Sequence, residues 1–466
     1  MQFISTRGHA PRLGFADTML TGLANDGGLY LPESWPQISP EQIASFANAP
    51  FASVAYEVIR QYTGEDFDDG DLRQMVDQAY APFHHPSTTP LVEIEPGHYL
   101  LELFHGPTLA FKDVAMQFLA RAMDHVLGGS GQSITIIGAT SGDTGSAAIE
   151  AFRGRNNVDI FILHPHNRTS DVQRRQMTSV DDANVHNIAL KGSFDDCQRI
   201  VKGLFSNTDF RQKAKLSGVN SINWGRIVAQ ISYYFRAAAE LGAPARRISF
   251  CVPTGNFGDI FAGYAAKRMG LPIEKLIIAT NDNDILARTM ETGRYQTSEV
   301  VATDSPSMDI QISSNFERLL FEASGRDAAV VRRLMGNLEQ SGGFELSDSI
   351  LSAIREDFSA VRSTSEEASV AMREALERSH YLADPHTAVG ISVSERFLGR
   401  EHCVVTLATA HPAKFPEAVL RSTGVEPALP VWLADLHTRL ERFDVLENDQ
   451  RLVEDYVRTR SRAWEG

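Results

Sequence analysis

Three stretches of this sequence hold residues whose types and spacing could do chemistry. In LELFHGPTLAFKDVAMQFL, from Leu101, Lys112 falls in the first turn of an expected helix that Thr108 is placed to cap. The positive end of a helix repels an ammonium, and apolar Leu109, Phe111 and Val114 desolvate it, so both effects favour the neutral amine. A neutral amine can condense with a carbonyl group. The alternative for an isolated lysine is a solvent-facing side chain, and the other two stretches weigh against it.

Those stretches are TIIGATSGDTGSAAIEAF, from Thr135, and SFCVPTGNFGDIFAGYAAKRM, from Ser249. Each is an apolar strand-like run, then a Gly-rich turn, then a helix. Free backbone N–H groups at a helix N-terminus, reinforced by the helix dipole, bind anions, and glycine lets the backbone approach closely. One such turn serves packing alone as readily as binding; two in one chain point to a ligand with two anionic ends. GNFGD lacks the Lys and Ser/Thr of a Walker A loop, and neither turn is a GxGxxG dinucleotide motif, which disfavours nucleotide binding and a kinase. What remains is a cofactor phosphate on one loop and a substrate carboxylate on the other.

The elements that must position these residues follow from periodicity. From His98 onward, short apolar runs (ITIIG, DIFIL, VHNIAL, then ISFCV, KLIIAT and CVVTLATA) alternate with helical patterns, which implies parallel sheets built from βαβ units. Residues 1–82 show short helical patterns and turn signals without that alternation and read as a separate N-terminal unit. Residues 83–425 form the α/β region: a smaller subdomain over about 110–210, a larger one in the remainder, and a mostly helical insertion over about 303–380. Residues 426–466, dense in charge of both signs, read as a helical tail. The expected fold class is α/β, with two parallel or mostly parallel sheets flanking a cleft.

Composition narrows the function classes. A chain of 466 residues with 43% hydrophobic content builds two or three domains with sizeable cores. A formal net charge of -15 with no basic stripe excludes nucleic acid as a partner class. Three widely spaced cysteines fit neither a disulfide scaffold nor a metal site. No apolar run approaches the roughly 18 to 20 residues of a membrane span, and MQFISTRGHAPRLG lacks a secretory apolar stretch, so a cytoplasmic location is expected.

LELFHGPTLAFKD resembles the cofactor-lysine signature of bacterial and fungal threonine synthases. The resemblance continues in the family's order through GATSGDTG, SINWGRIVAQISYY, PTGNFGD, SPSMDIQISSNFERLL and LATAHPAKFPEAV, over nearly the whole chain. It implies pyridoxal 5'-phosphate as cofactor and the tryptophan-synthase-like fold type II. It also implies O-phospho-L-homoserine as the small-molecule substrate, converted with water to L-threonine and phosphate in the last step of threonine biosynthesis. A monomer or homodimer and closure of one domain on the other are expected. By similarity Lys112 holds the cofactor as a Schiff base and then serves as a mobile acid and base, and Asp143 lies near the ring 3-hydroxyl. Thr140, Ser141 and Thr144 offer donors to the substrate carboxylate, with capping of the following helix as a compatible role. Gly255, Asn256, Phe257 and Gly258 cradle the cofactor phosphate, Asp259 faces the helix start, and the Thr409 hydroxyl meets the pyridine nitrogen. Asn223, Arg226, Asn315 and Lys414 are candidates for the substrate phosphate, Arg226 being equally placed for a structural ion pair. His105 and His411, beside the motifs, read as structural. Two other readings stay open: another fold type II enzyme, such as a phospho-amino-acid lyase or threonine dehydratase, and an inactive homologue acting as a binding protein.

Overall fold

The structure, a computed structural model, describes residues 1–140, 142–399 and 403–464. Its larger sheet has six strands in the order Phe358–Arg362, Ile273–Thr280, Ile248–Pro253, Cys403–Ala408, His98–Glu102 and Leu91–Glu95. All neighbours are parallel except the last pair, which is antiparallel. The smaller sheet is wholly parallel, in the order Asp444–Glu447, Val185–Lys191, Val158–Pro165, Ile134–Ala139 and Leu216–Ser217. Val158–Pro165, Ile248–Pro253 and Cys403–Ala408 are buried at every position. Burial on both faces is what helices covering a parallel sheet impose, and it explains why these strands are continuous apolar runs rather than alternating ones.

The Gly-rich turns end the Ile134–Ala139 and Ile248–Pro253 strands and lead into helices Asp143–Phe152 and Gly258–Arg268. Both turns therefore sit at the carboxyl ends of parallel strands, where open α/β sheets hold ligands. The N-terminal unit packs helices Phe51–Thr63 and Asp69–Tyr80 beneath this region. Trp224, fully buried at the start of the Trp224–Glu240 helix, meets the rings of Phe3, Trp35 and Tyr62 at 5.8, 6.2 and 5.7 Å, tying the N-terminal unit to the sheet region.

Two expectations about organisation need correction. The helical insertion over 303–380 also supplies strand Phe358–Arg362, which forms an edge of the larger sheet, and strand Gly343–Glu345, which pairs with Arg294–Gln296. The tail over 426–466 is not wholly helical: Asp444–Glu447 joins the smaller sheet beside Val185–Lys191 before helix Gln450–Arg460. A four-residue strand bounded by Asp444 and Glu447 carries no periodic signal, and it forms because it pairs an edge that would otherwise be left open. Among the described residues no helix is long and apolar enough to cross a membrane.

Candidate active site

Lys112 is the first residue of helix Lys112–Ser130, and its chain enters along the end of strand Cys403–Ala408: Phe111 N–H donates to Thr409 O (2.9 Å) and His411 N–H to Leu109 O (3.0 Å). Thr108 does not cap this helix, whose N-cap position is Phe111. Its hydroxyl and N–H instead donate to the buried Asp113 carboxylate (2.6 and 2.8 Å), which pins the turn from the inside. Lys112 is 7% exposed, and its Nζ lies 3.2 Å from Asp143 Oδ2. Burial, the largest influence, holds its pKa below the ordinary lysine value; Asp143 opposes this, while Lys414 and Arg226 add to it. The amine is thus buried at the helix start and made easier to deprotonate.

Asp143 collects donors from three directions. Oδ2 faces Lys112 Nζ and accepts from Ser307 Oγ (3.3 Å); Oδ1 accepts from Gln173 Nε2 (2.8 Å) and lies 2.9 Å from Lys414 Nζ. Burial alone raises a carboxyl pKa, but Lys414, Lys112, His386 and the Gln173 hydrogen bond outweigh it, so Asp143 stays ionised well below the usual range. Gly142 allows this geometry: its φ is 150°, and a Cβ there would sit 2.4 Å from Gln173 Cδ. Thr140 Oγ1 accepts from Gly142 N–H and Gly145 N–H (both 2.9 Å), so it shapes the turn and keeps its own proton to donate. Thr144 is half-buried near the start of the same helix. Ser141 lies outside the described residues.

At the second loop Phe257 adopts a left-handed conformation (φ 63°) at the N-cap of helix Gly258–Arg268. Ser313 Oγ donates to Gly255 O (2.7 Å), and Asn315 donates to Asn256 O through both N–H and Nδ2 (3.0 Å each). The loop carbonyls are thereby held by side chains, while the first-turn N–H groups have no carbonyl partner within the helix, which suits an anion. Gly255 is required by contact: a Cβ would lie 2.8 Å from Ser307 O. Asp259 sits in the first turn, as expected, with its side chain turned to the Tyr233 and Tyr234 hydroxyls.

The Thr409 N–H donates to Thr387 Oγ1 (3.2 Å), and among the described residues its own hydroxyl has no protein partner. Thr387 belongs to a cluster that sequence reading missed. Asp384 caps helix Pro385–Ser394 and accepts from Thr387 Oγ1 and from His386 Nδ1 (2.8 Å), while His386 Nε2 accepts from Ser307 N–H (3.2 Å). One buried carboxylate therefore fixes both the Thr409 strand end and the serine that touches Asp143. The sequence signal was ADPHTA: Asp at an N-cap followed by Pro at the first helical position.

The four candidates for the substrate phosphate separate. Asn223 caps its helix by accepting from Gly225 N–H and donates to Met19 O and Gly218 O, so its polar atoms are engaged by the protein. Asn315 supports the second loop from behind through its Nδ2, while its Oδ1 accepts from Arg318 Nη1. Lys414 is fully buried and bound to Asp143 and Thr108 O (2.7 Å). The side chains of these three are engaged by partners within the protein. Arg226 differs: it is 4% exposed, donates through Nη1 to Val219 O (3.2 Å), has an unpartnered Nε, and among the described residues forms no ion pair. The structural ion pair considered for it is not made. Burial lowers its pKa to about 10. His105 is bound to Glu102 (2.7 Å), and His411 Nδ1 accepts from Ala413 N–H (3.1 Å), both in structural roles.

A buried amine, a glycine turn whose carbonyls are tied back, and a free threonine hydroxyl form a donor set that fits an aldehyde-bearing pyridine phosphate. The same conclusion comes from comparison. Residues 2–80 match the family described as threonine synthase N terminus, 83–409 the pyridoxal-phosphate dependent enzyme family, and 387–457 the threonine synthase C-terminal family. The chain is 50% identical over 460 residues to threonine synthase of Pseudomonas aeruginosa, covering 98% of each. It is 59% identical to pyridoxal-phosphate-bound threonine synthase from Brucella melitensis, whose crystal structure superposes with a TM-score of 0.98 over 99% of this chain and 100% of that one. The yeast threonine synthase structure gives 39% identity and a TM-score of 0.94 over 98% of each chain. The chain belongs to the threonine synthase family of pyridoxal-phosphate-dependent enzymes.

Proposed function

We propose that this chain converts O-phospho-L-homoserine and water to L-threonine and phosphate. The supporting observation is a buried lysine amine whose electrostatic surroundings include a buried guanidinium that, among the described residues, forms no ion pair and has an unpartnered Nε. An unpaired buried charge is unfavourable, and a substrate that brings its own phosphate satisfies it.

Gly255, Asn256, Phe257 and Gly258 would hold the cofactor phosphate, and Thr409 would offer its hydroxyl to the ring nitrogen. Bound pyridoxal phosphate supplies an electron sink for negative charge developing next to the substrate amino group. A hydroxyl at the ring nitrogen, unlike a carboxylate, does not enforce ring protonation. Thr140, with its free hydroxyl proton, and Thr144 orient the substrate carboxylate at the start of the Asp143 helix. Arg226 holds the phosphate that departs. Lys112 Nζ takes the α-proton and returns one to the α-carbon at the end. In the net change the γ-carbon–oxygen bond breaks with its electron pair leaving on phosphate, one β-carbon–hydrogen bond breaks, the hydroxyl of water is added at the β-carbon, and the γ-carbon takes up a proton to become a methyl group. Burial of Lys112 and Asp143 limits the entry of water until the phosphate has gone.

The test is product analysis. Purified enzyme given O-phospho-L-homoserine should release L-threonine and phosphate in equal amounts, and Lys112→Ala should release neither; 2-oxobutyrate as the only organic product would place the chain with the lyases instead.

A further inference from the structure

Asp143 is bracketed by two lysines, and only one of them is accounted for by the proposed chemistry. Lys112 Nζ lies 3.2 Å from Oδ2 and Lys414 Nζ 2.9 Å from Oδ1. Lys414 has no exposed side-chain surface, and its second partner, Thr108 O at 2.7 Å, belongs to the turn that carries Lys112. Its place is therefore set by the site itself, on the far oxygen of the carboxylate that faces the reactive amine.

We propose that Lys414 is a positioning residue that keeps Asp143 charge-compensated, so that Asp143 orients Lys112 without holding it as an ammonium. This rests on the reading of Lys112 given above. A buried carboxylate with a single lysine beside it forms an ion pair, and an ion pair favours the protonated amine. A second cation on the other oxygen cancels the carboxylate's charge as Lys112 meets it, and so removes the bias toward the ammonium. The other charged or titratable groups facing this pair are Arg226 from the Trp224–Glu240 helix, Asp259 from the Gly258–Arg268 helix, His386 from the Pro385–Ser394 helix and Asp113 beside Lys112. None of them hydrogen-bonds the Asp143 carboxylate, whose other contacts are the uncharged Gln173 and Ser307. Burial is the largest influence lowering the Lys112 pKa, and Lys414 is the leading cation that adds to it.

The experiment follows association of pyridoxal phosphate with the cofactor-free full-length protein, read as growth of the visible band against pH. It compares wild type with Lys414→Met, Lys414→Gln and Lys414→Arg. Removing one unit charge across a shared carboxylate should move the inflection to higher pH by about one to two units. At neutral pH Lys414→Met should then associate about tenfold or more slowly, while Lys414→Arg keeps the wild-type inflection. If Lys414→Met does not fold, as judged by circular dichroism, Lys414→Gln, which keeps a donor for Thr108 O, is read the same way. An unmoved inflection in a folded, cofactor-binding Met or Gln variant overturns the proposal, as does an Arg variant that shifts as far as Met. An unmoved inflection with a raised KM for the phosphorylated substrate would instead return Lys414 to the substrate-phosphate role. Absence of the band in wild type would sink the reading of Lys112 itself.

Discussion

Arg226 and Asp259 are two buried charges whose burdens point to opposite tests. Among the described residues Arg226 forms no ion pair, so truncating it removes a burden from the folded state while removing a donor from the phosphate site. Arg226→Met should lower kcat/KM by about 10- to 100-fold, as expected for losing a charge-assisted hydrogen bond worth about 1.5 to 3 kcal/mol. Its melting temperature should stay equal or rise, and a large fall in melting temperature would mark Arg226 as structural. Asp259 is pushed up to about 6, chiefly by burial, against the hydrogen bonds of Tyr233 and Tyr234. The folded state thus binds a proton that the unfolded chain has already released. Stability from this group is complete below the ordinary carboxylate range and is lost as pH rises through about 6. Asp259→Asn should therefore melt higher than wild type at about pH 8, by up to about 3 kcal/mol, and differ little near about pH 4. Equal gains at both pH values would contradict the assignment.

At the scale of elements, each strand-to-helix turn is legible in sequence because it must be glycine for a contact reason. Gly255→Ala forces a Cβ to within 2.8 Å of Ser307 O, a backbone atom that cannot swing aside. Overpacking of this kind costs about 1 to 3 kcal/mol, and the affinity for pyridoxal phosphate, measured by titration of the visible band, should fall about tenfold or more. What sequence alone could not show is the layer behind the turns. Asn315 and Ser313 tie back the carbonyls of Asn256 and Gly255 from 59 and 58 residues further on, and Ser307 of the same segment reaches Asp143. The sequence does not show which partners such polar residues take within the protein. The same holds for Lys414 and Asn223, whose side chains are engaged by the protein. Asp384→Ala removes the cap of helix Pro385–Ser394 together with the anchors of His386 and Thr387. It should cost more than the about 1 kcal/mol of an isolated cap in thermal unfolding, and it should weaken cofactor binding through Thr409.

Across the whole molecule, the parallel strands were readable because burial on both faces leaves continuous apolar runs, as at Val158–Pro165. Two of the strands that escaped reading, Asp444–Glu447 and Phe358–Arg362, are short edge strands carrying charge, and tertiary pairing rather than local pattern determines them. The C-terminal segment is consequently part of the smaller lobe: Val453, Tyr456 and Val457 bury against Cys197, Ile200 and Leu204. A chain ending at residue 440 should melt well below the full chain and aggregate, because three buried side chains worth about 1.5 to 3 kcal/mol each are lost and the Val185–Lys191 edge is opened. The central claim, that folding brings the Lys112 amine to a cofactor whose phosphate rests on the Gly255 turn, is tested most directly by borohydride reduction of the purified enzyme and mass mapping of the pyridoxyl group. The label should lie on Lys112 alone; a label on Lys414, or none on a protein that retains activity, would contradict it.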